Sequence, residues 1–131
     1  MERGRFHKHT DVGQNLTVIT ANGSVTTDDI IGALGDFYEH SYTLNLLWDF
    51  TRAHETGIDK PQMHRIVEAA KSQAHLRAGG KTAIVGPEDA QFGVGRMYEA
   101  FSELAGHPVV HGVFRSVREA LVWLNTKEER P

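Results

Sequence analysis

The 131-residue chain contains no cysteine. This absence excludes disulfide bonds, thiol nucleophiles, iron–sulfur clusters and cysteine-ligated zinc sites. No apolar run approaches the roughly 20 residues that a membrane-spanning helix needs. The first five residues carry two arginines and a glutamate rather than a hydrophobic signal segment. The sequence therefore predicts a cytoplasmic protein with at most peripheral membrane association.

The chain also lacks an excess of basic residues. It has 14 Lys and Arg against 17 Asp and Glu, which gives a net charge of −3. Nucleic-acid-binding domains are usually basic, so this balance argues against a nucleic-acid partner. The apolar fraction of 40% is typical of a globular chain and excludes a disordered one. The length predicts a single domain over 1–131, with its core at about 15–125.

Strand-like and helix-like segments alternate along the sequence. Runs of apolar and β-branched residues predict strands at 15–21, 44–50, 81–86 and 109–114, and the Asn22-Gly23 pair is expected to end the first of these. Residues 5–10 are expected to form a short, polar edge strand. Capping residues followed by apolar residues at helical spacing predict helices after Thr26, Asp59, Pro87 and Ser116. Strict alternation of this kind indicates an α/β fold with right-handed crossovers.

The apolar spacing also predicts which side of each helix faces the sheet. In the third predicted helix the inward positions are expected to be Val94, Met97, Phe101 and Leu104. Three aromatic residues, which fall beside the inward stripes, are expected at the surface: Tyr38, Tyr98 and Trp123. Surface aromatics of this kind are enriched at protein interfaces and also line apolar ligand clefts.

Several segments taken together resemble a known family. They are Leu46–Asp49, Lys81–Val85, Phe92–Met97, Val113–Arg115, Glu119–Leu121 and Trp123–Leu124. In their order and spacing over residues 15–125 the chain resembles the SpoIIAA-like proteins, small bacterial STAS-type domains related in fold to anti-sigma-factor antagonists. The resemblance implies a mixed, mostly parallel sheet of four to five strands, with about four helices packed mainly on one side. It also implies a non-enzymatic role in protein interaction, ligand or lipid binding, or membrane association.

The sequence departs from this family at the phosphorylation motif. Phosphoswitch STAS proteins carry a phosphorylatable Ser in an Asp-Ser-Ser/Thr-Gly motif at the start of a helix, where the added charge changes partner binding. Here the corresponding junction runs from Thr56 to Pro61 and lacks that motif. Lys60 and Pro61 occupy the switch region, and the nearest hydroxyl belongs to Thr56 in the preceding segment. This departure argues against a standard phosphoswitch.

Eight histidines raise the question of a metal site. His7 and His9 share a face of a predicted strand, whereas His107 and His111 are separated by Pro108 and the start of a strand. Neither pair is predicted to lie on a helix, so neither forms a helical zinc motif, although His107 and His111 are four residues apart. We therefore expect scattered surface histidines and no metal.

The segment Gly93-Val94-Gly95-Arg96 invites a phosphate-binding interpretation. A dinucleotide fingerprint needs a third glycine, which is missing, and the preceding Glu88 and Asp89 would repel a phosphate at the helix N-terminus. The sequence also lacks a Gly-x-Ser-x-Gly elbow. It therefore predicts no cofactor and no catalytic residue.

The best candidate for a site is a cleft among two predicted loops, residues 51–60 and 86–93, and the second and third predicted helices. Its candidate ligand-binding residues are Asp49, Arg52, Lys60, Phe92 and Arg96. Asp49 follows a buried strand, where α/β sheets place ligands, and Arg96 can hold an acidic group. In the alternative interpretation Asp49 accepts backbone N–H bonds in the segment that follows, and Arg96 forms a surface salt bridge.

Three functions remain open at the level of sequence. The first is a non-catalytic module that binds a small apolar or acidic ligand or a lipid. The second is a protein-interaction module that acts as a homodimer or with another partner. The third, an enzyme, has the least support because no catalytic set of residues is recognisable.

Overall fold

A computed structural model describes residues 6–40, 42–56 and 58–127, with the backbone alone for residues 55 and 56. Within these residues the strands are β1 (Phe6–Asp11), β2 (Leu16–Thr26), β3 (Asn45–Thr56), β4 (Lys81–Val85) and β5 (Val110–Phe114). The helices are α1 (Thr27–Glu39), α2 (Lys60–Ala74), α3 (Asp89–Leu104) and α4 (Val117–Leu124), and a 3₁₀ turn at His75–Arg77 follows α2.

The five strands form one mixed sheet in the order β1-β2-β3-β4-β5. The edge strand β1 is antiparallel to β2, and every other neighbouring pair is parallel. Helices α1 and α2 pack with Ile19, Leu46, Trp48 and Ile84 on one face, where α3 also lies. Helix α4 packs with Leu47, Ala83 and Val85 on the other face. The predicted α/β architecture, with helices mainly on one side, is confirmed.

Local sequence signals account for the helix starts. The Thr26 hydroxyl accepts from the Asp29 backbone N–H, and the Asp29 carboxylate accepts in return from the Thr26 N–H. The Asp59 carboxylate caps α2 through the Gln62 N–H, with Pro61 in the first turn. These caps confirm the helix starts that the sequence predicts.

Strands β2 and β3 are longer than the sequence predicts. β2 continues through Asn22-Gly23 to Thr26, and β3 continues to Thr56 where a loop was expected. The two extensions pair with each other in parallel, for example Ser24 with His54. Backbone pairing between the extensions therefore overrides the local turn signal.

The inward face of α3 is turned by about one residue from the predicted one. The buried residues are Gln91, Gly95 and Ser102, whereas Leu104 is 86% exposed. An added Cβ at Gly95 would lie 2.9 Å from Val113 Cγ1 on β5, so the small residue allows close approach of helix and sheet. The helix is thus oriented by small residues that fit the sheet rather than by its largest apolar ones.

Two of the three aromatics that were expected at the surface are buried. Tyr38 of α1 packs in the core, and Trp123 of α4 packs against the sheet. The third, Tyr98, is partly buried and points toward the α1–α2 side of the sheet. These positions contradict the expectation of surface aromatics, because each helix buries a stripe wider than its strictly periodic apolar positions.

Candidate functional site

An apolar pocket lies between helices α1, α2 and α3 and the sheet. Its volume is about 60 Å³, which exceeds the roughly 10–15 Å³ that one water molecule requires. Its lining comes from all three helices, from β3 and β4, and from the segment before α2: Ile30, Leu34, Trp48, Phe50, Ile58, Ile66, Ile84, Gln91, Val94, Gly95 and Tyr98. Nine of these eleven residues are apolar, which makes the pocket the leading candidate for a small-molecule site.

The floor of the pocket is built on two aromatic rings of β3. Trp48 and Phe50 stack with parallel planes and ring centroids 5.9 Å apart. They share one face of the strand because side chains alternate along it. The sequence predicts this part of the chain as a buried strand, but it gives no sign that the helices leave the rings incompletely covered.

Contacts between neighbouring helices frame the pocket. Arg65 of α2 forms an ion pair of 2.7 Å with Asp28 of α1. His64 of α2 stacks on Phe101 of α3, with ring centroids 4.6 Å apart. Helix α2 is thus connected to both of the helices beside it.

The two polar side chains of the lining are Gln91 and Tyr98. The Gln91 amide nitrogen donates to the main-chain oxygens of Phe50, at 2.8 Å, and of Ala53, and its oxygen accepts from the Glu88 N–H at 3.0 Å. Burial raises the pKa of the Tyr98 hydroxyl to about 12. The pocket wall is therefore uncharged near neutral pH, and the amide hydrogens of Gln91 are already bonded.

A second cavity, with a mixed polar and apolar lining, adjoins the pocket and shares Leu34, Trp48 and Tyr98 with it. Its volume of about 10 Å³ is close to what one water molecule requires. Arg77 and two histidines contribute to its lining, His107 and His111. Burial is the main cause that lowers the pKa of both histidines, that of His111 to about 3.

The burial of His111 contradicts the expectation that the histidines are scattered at the surface. Its ring lies 5.0 Å from that of Tyr98 and 5.5 Å from that of His107, between α3 and the sheet. Over the described residues no group of three or more His, Asp or Glu is placed to hold a metal ion. In the same part of the chain no helix is long and apolar enough to cross a membrane.

The five residues predicted as ligand contacts all lie outside the pocket lining. Asp49 accepts hydrogen bonds from the backbone N–H and from the hydroxyl of Thr51. The bond from the N–H agrees with the alternative interpretation, in which Asp49 accepts backbone N–H bonds in the segment that follows. Arg52 and Lys60 are exposed. Their part in ligand binding stays a prediction.

The other two candidates are engaged by neighbouring side chains. The Arg115 guanidinium lies over the Phe92 ring at 4.2 Å from its centroid. Arg96 lies 3.5 Å from the Glu99 carboxylate, which corresponds to the surface salt bridge of the alternative interpretation. Direct ligand contacts by Phe92 and Arg96 likewise stay predictions.

The pocket does receive residues from both segments named for the predicted cleft. Ile58 comes from residues 51–60 and Gln91 from residues 86–93. Sequence reasoning missed Gln91. The usable signal was its position four residues before Gly95, which places both residues on the same face of the helix. Two parts of the junction from Thr56 to Pro61, Gly57 and the side chain of Thr56, lie outside the described residues.

Comparison with known proteins identifies the fold. No protein-family model matches the sequence, and no curated protein matches it. The structure is similar to the anti-sigma factor antagonist SpoIIAA in its unphosphorylated form, with a TM-score of 0.53, 12% identity, and coverage of 89% of this chain and 94% of that chain. It is also similar to an uncharacterized protein of the DUF3478 family from Shewanella loihica PV-4, described as having a SpoIIAA-like fold. There the TM-score is 0.58, the identity 17%, and the coverage 91% of each chain.

The sheet order, the single antiparallel edge pair and the placement of the helices agree with this likeness. At these identities the likeness concerns the fold alone. The chain therefore has a SpoIIAA-like, STAS-type fold.

Proposed function

We propose that the protein is a non-catalytic module that binds a small, uncharged apolar group in the pocket. The observation that carries the proposal is a cavity of about 60 Å³ whose lining has no charged side chain. Apolar cavities accept small apolar molecules because filling them restores contacts that the lining atoms lack. The pocket is partly open, so a ring larger than its enclosed volume can enter it in part.

The geometry favours an apolar ligand over an acidic one. An acidic group needs a free cation or several free hydrogen-bond donors when it is buried. Arg52, Lys60 and Arg96 lie outside the lining, and the amide hydrogens of Gln91 are bonded to backbone oxygens. Tyr98, with its raised pKa, is the one titratable residue of the described lining. The lining thus supports binding rather than acid–base or nucleophilic chemistry.

A titration with toluene as the probe tests this proposal. Wild-type protein is expected to bind one equivalent, and Val94→Phe is expected to abolish binding because the larger side chain fills the pocket. Val122→Phe is the matched control, since Val122 is exposed on α4 at the opposite face of the sheet. Failure of the wild type to bind, or unchanged binding by Val94→Phe, contradicts the proposal.

A protein-interaction module is the second candidate, and the fold supports it. SpoIIAA, which shares this fold, is an anti-sigma factor antagonist and so acts on another protein. Under this alternative the chain forms a homodimer or binds another protein in a regulatory pathway of the cytoplasm. Sedimentation of the purified protein at several concentrations tests the homodimer. A concentration-dependent dimer supports this form, and a monomer throughout contradicts it.

A further inference from the structure

Strand β3 contains a bulge beside the pocket. Asp49 pairs with Thr20 and Arg52 pairs with Asn22, so that Phe50 and Thr51 together lie opposite the single residue Ala21. Two residues against one is the defining feature of a β-bulge, which bends a strand and redirects its side chains. Phe50, one of the two residues of the bulge, lines the pocket.

Gln91 binds two main-chain oxygens of β3, here called the bulge oxygens: Phe50 O lies in the bulge and Ala53 O lies just after it. Its amide nitrogen donates to Phe50 O and Ala53 O, positions 41 and 38 residues away along the chain. The amide orientation follows from its partners, because its oxygen accepts from the Glu88 N–H at the start of α3. Gln91 is only 9% exposed, so these bonds are buried or partly buried.

The start of α3 is shaped to bring Gln91 to this position. An added Cβ at Gly86, directly after β4, would lie 2.7 Å from Gln91 Cβ. A side chain there would displace the first turn of α3. The glycine therefore permits the approach that brings the amide to the bulge.

We propose that Gln91 is the positioning and specificity-determining residue of the pocket. By binding the bulge oxygens it holds Phe50 against Trp48 and removes the free acceptors that a polar ligand would need. This inference rests on the proposed function, since it explains why the pocket takes apolar groups and rejects their hydroxylated analogues. A buried acceptor that is already bonded forms no hydrogen bond with a ligand hydroxyl. The hydroxyl then loses its hydrogen bonds to water on binding and gains none.

The test compares toluene with phenol, which have nearly the same shape but differ in one donor. Wild-type protein is expected to prefer toluene. In Gln91→Ala the two oxygens are freed and the preference is expected to fall about fivefold, as one new hydrogen bond allows. Val94→Ala is the matched control, because it enlarges the same pocket while leaving the bulge oxygens bonded. It changes the toluene affinity but keeps the preference ratio.

The outcomes separate this inference from the proposed function. If wild-type protein binds neither compound, the proposed function fails. If it binds toluene and Gln91→Ala keeps the wild-type preference, or Val94→Ala loses it equally, the role of Gln91 is overturned.

A measurement on the wild type covers the case in which Gln91→Ala does not fold. The side-chain amide hydrogens of Gln91 are expected to exchange with solvent at least about tenfold more slowly than those of the half-exposed Gln73 on α2. Equal exchange rates contradict the proposed hydrogen bonds and overturn the inference.

Discussion

The guanidinium of Arg77 donates a 3.2 Å hydrogen bond to the hydroxyl of Tyr38, 39 residues earlier in the chain. Arg77 is 3% exposed, and its hydrogen-bond acceptors are neutral. Besides Tyr38 they comprise the main-chain oxygens of Thr43, Leu44 and Lys81 and the hydroxyl of Thr82. One side chain thus connects α1, the two residues before β3 and the start of β4.

Replacing Arg77 by methionine is expected to lower the free energy of unfolding by at least about 3 kcal/mol. The change leaves several buried or partly buried carbonyl and hydroxyl oxygens without this donor, and each fully buried one costs roughly 1–3 kcal/mol. Urea unfolding followed by circular dichroism measures the loss. Arg96→Met on the exposed side of α3 is the control, with an expected change within about 0.5 kcal/mol. Equal effects of the two substitutions would show that the Arg77 contacts contribute little.

Two glycines of α3 are expected to respond in opposite directions to alanine. Gly95→Ala should destabilise the protein by about 1–3 kcal/mol, because the new methyl group meets the stiff, β-branched Val113 at 2.9 Å. Gly93→Ala should stabilise it by up to about 1 kcal/mol, since Gly93 is exposed, has open space around its Cβ position and gains helix propensity. Thermal unfolding of both variants checks this pair. A stabilising Gly95→Ala would contradict the observed contact of α3 with the sheet.

Acid is expected to destabilise the protein through His111. Burial lowers the pKa of His111 from its ordinary value of 6.5 to about 3. Below pH 6.5 the unfolded chain therefore binds a proton that the folded chain does not, and stability falls as the pH drops from about 6.5 to about 3. At pH 5 the loss amounts to about 2 kcal/mol relative to neutral pH.

The variant His111→Gln isolates this contribution. Its unfolding free energy should decline less between pH 7 and pH 5 than that of the wild type, by about 2 kcal/mol, as measured in urea titrations at each pH. His9→Gln, on the exposed side of β1, is the control and should follow the wild type. Parallel curves for wild type and His111→Gln would exclude a buried, neutral His111.

Much of the fold could be predicted from the sequence because its signals are local. Thr26 and Asp59 mark helix starts through their own side chains, and the apolar run before Asp49 indicates a buried strand. The extension of β2 beyond Asn22 could not be predicted in this way. It depends on pairing with residues some 30 positions away along the chain.

The pocket was harder to predict than the fold. Ile30, Ile66 and Ile84 have the pattern of ordinary core residues, and whether core residues leave a cavity depends on how closely the helices approach. That approach is set by Gly95 and by the bulge at Phe50. A glycine inside a predicted helix suggests close packing but does not indicate against what, and the bulge has no signal of its own. The charged residues chosen from the sequence, such as Arg52, are exposed because the sheet extends where a loop was expected.

The most direct test of an apolar-ligand pocket is an isoleucine-methyl NMR spectrum recorded during a toluene titration. The chain has six isoleucines, and four of them line the pocket: Ile30, Ile58, Ile66 and Ile84. Ile19 and Ile31 lie outside the lining and serve as internal controls. We predict saturable shifts of the four pocket methyl groups with little change at Ile19 and Ile31. Uniform small shifts of all six isoleucine methyl groups, or the absence of any shift, would contradict an apolar-ligand pocket.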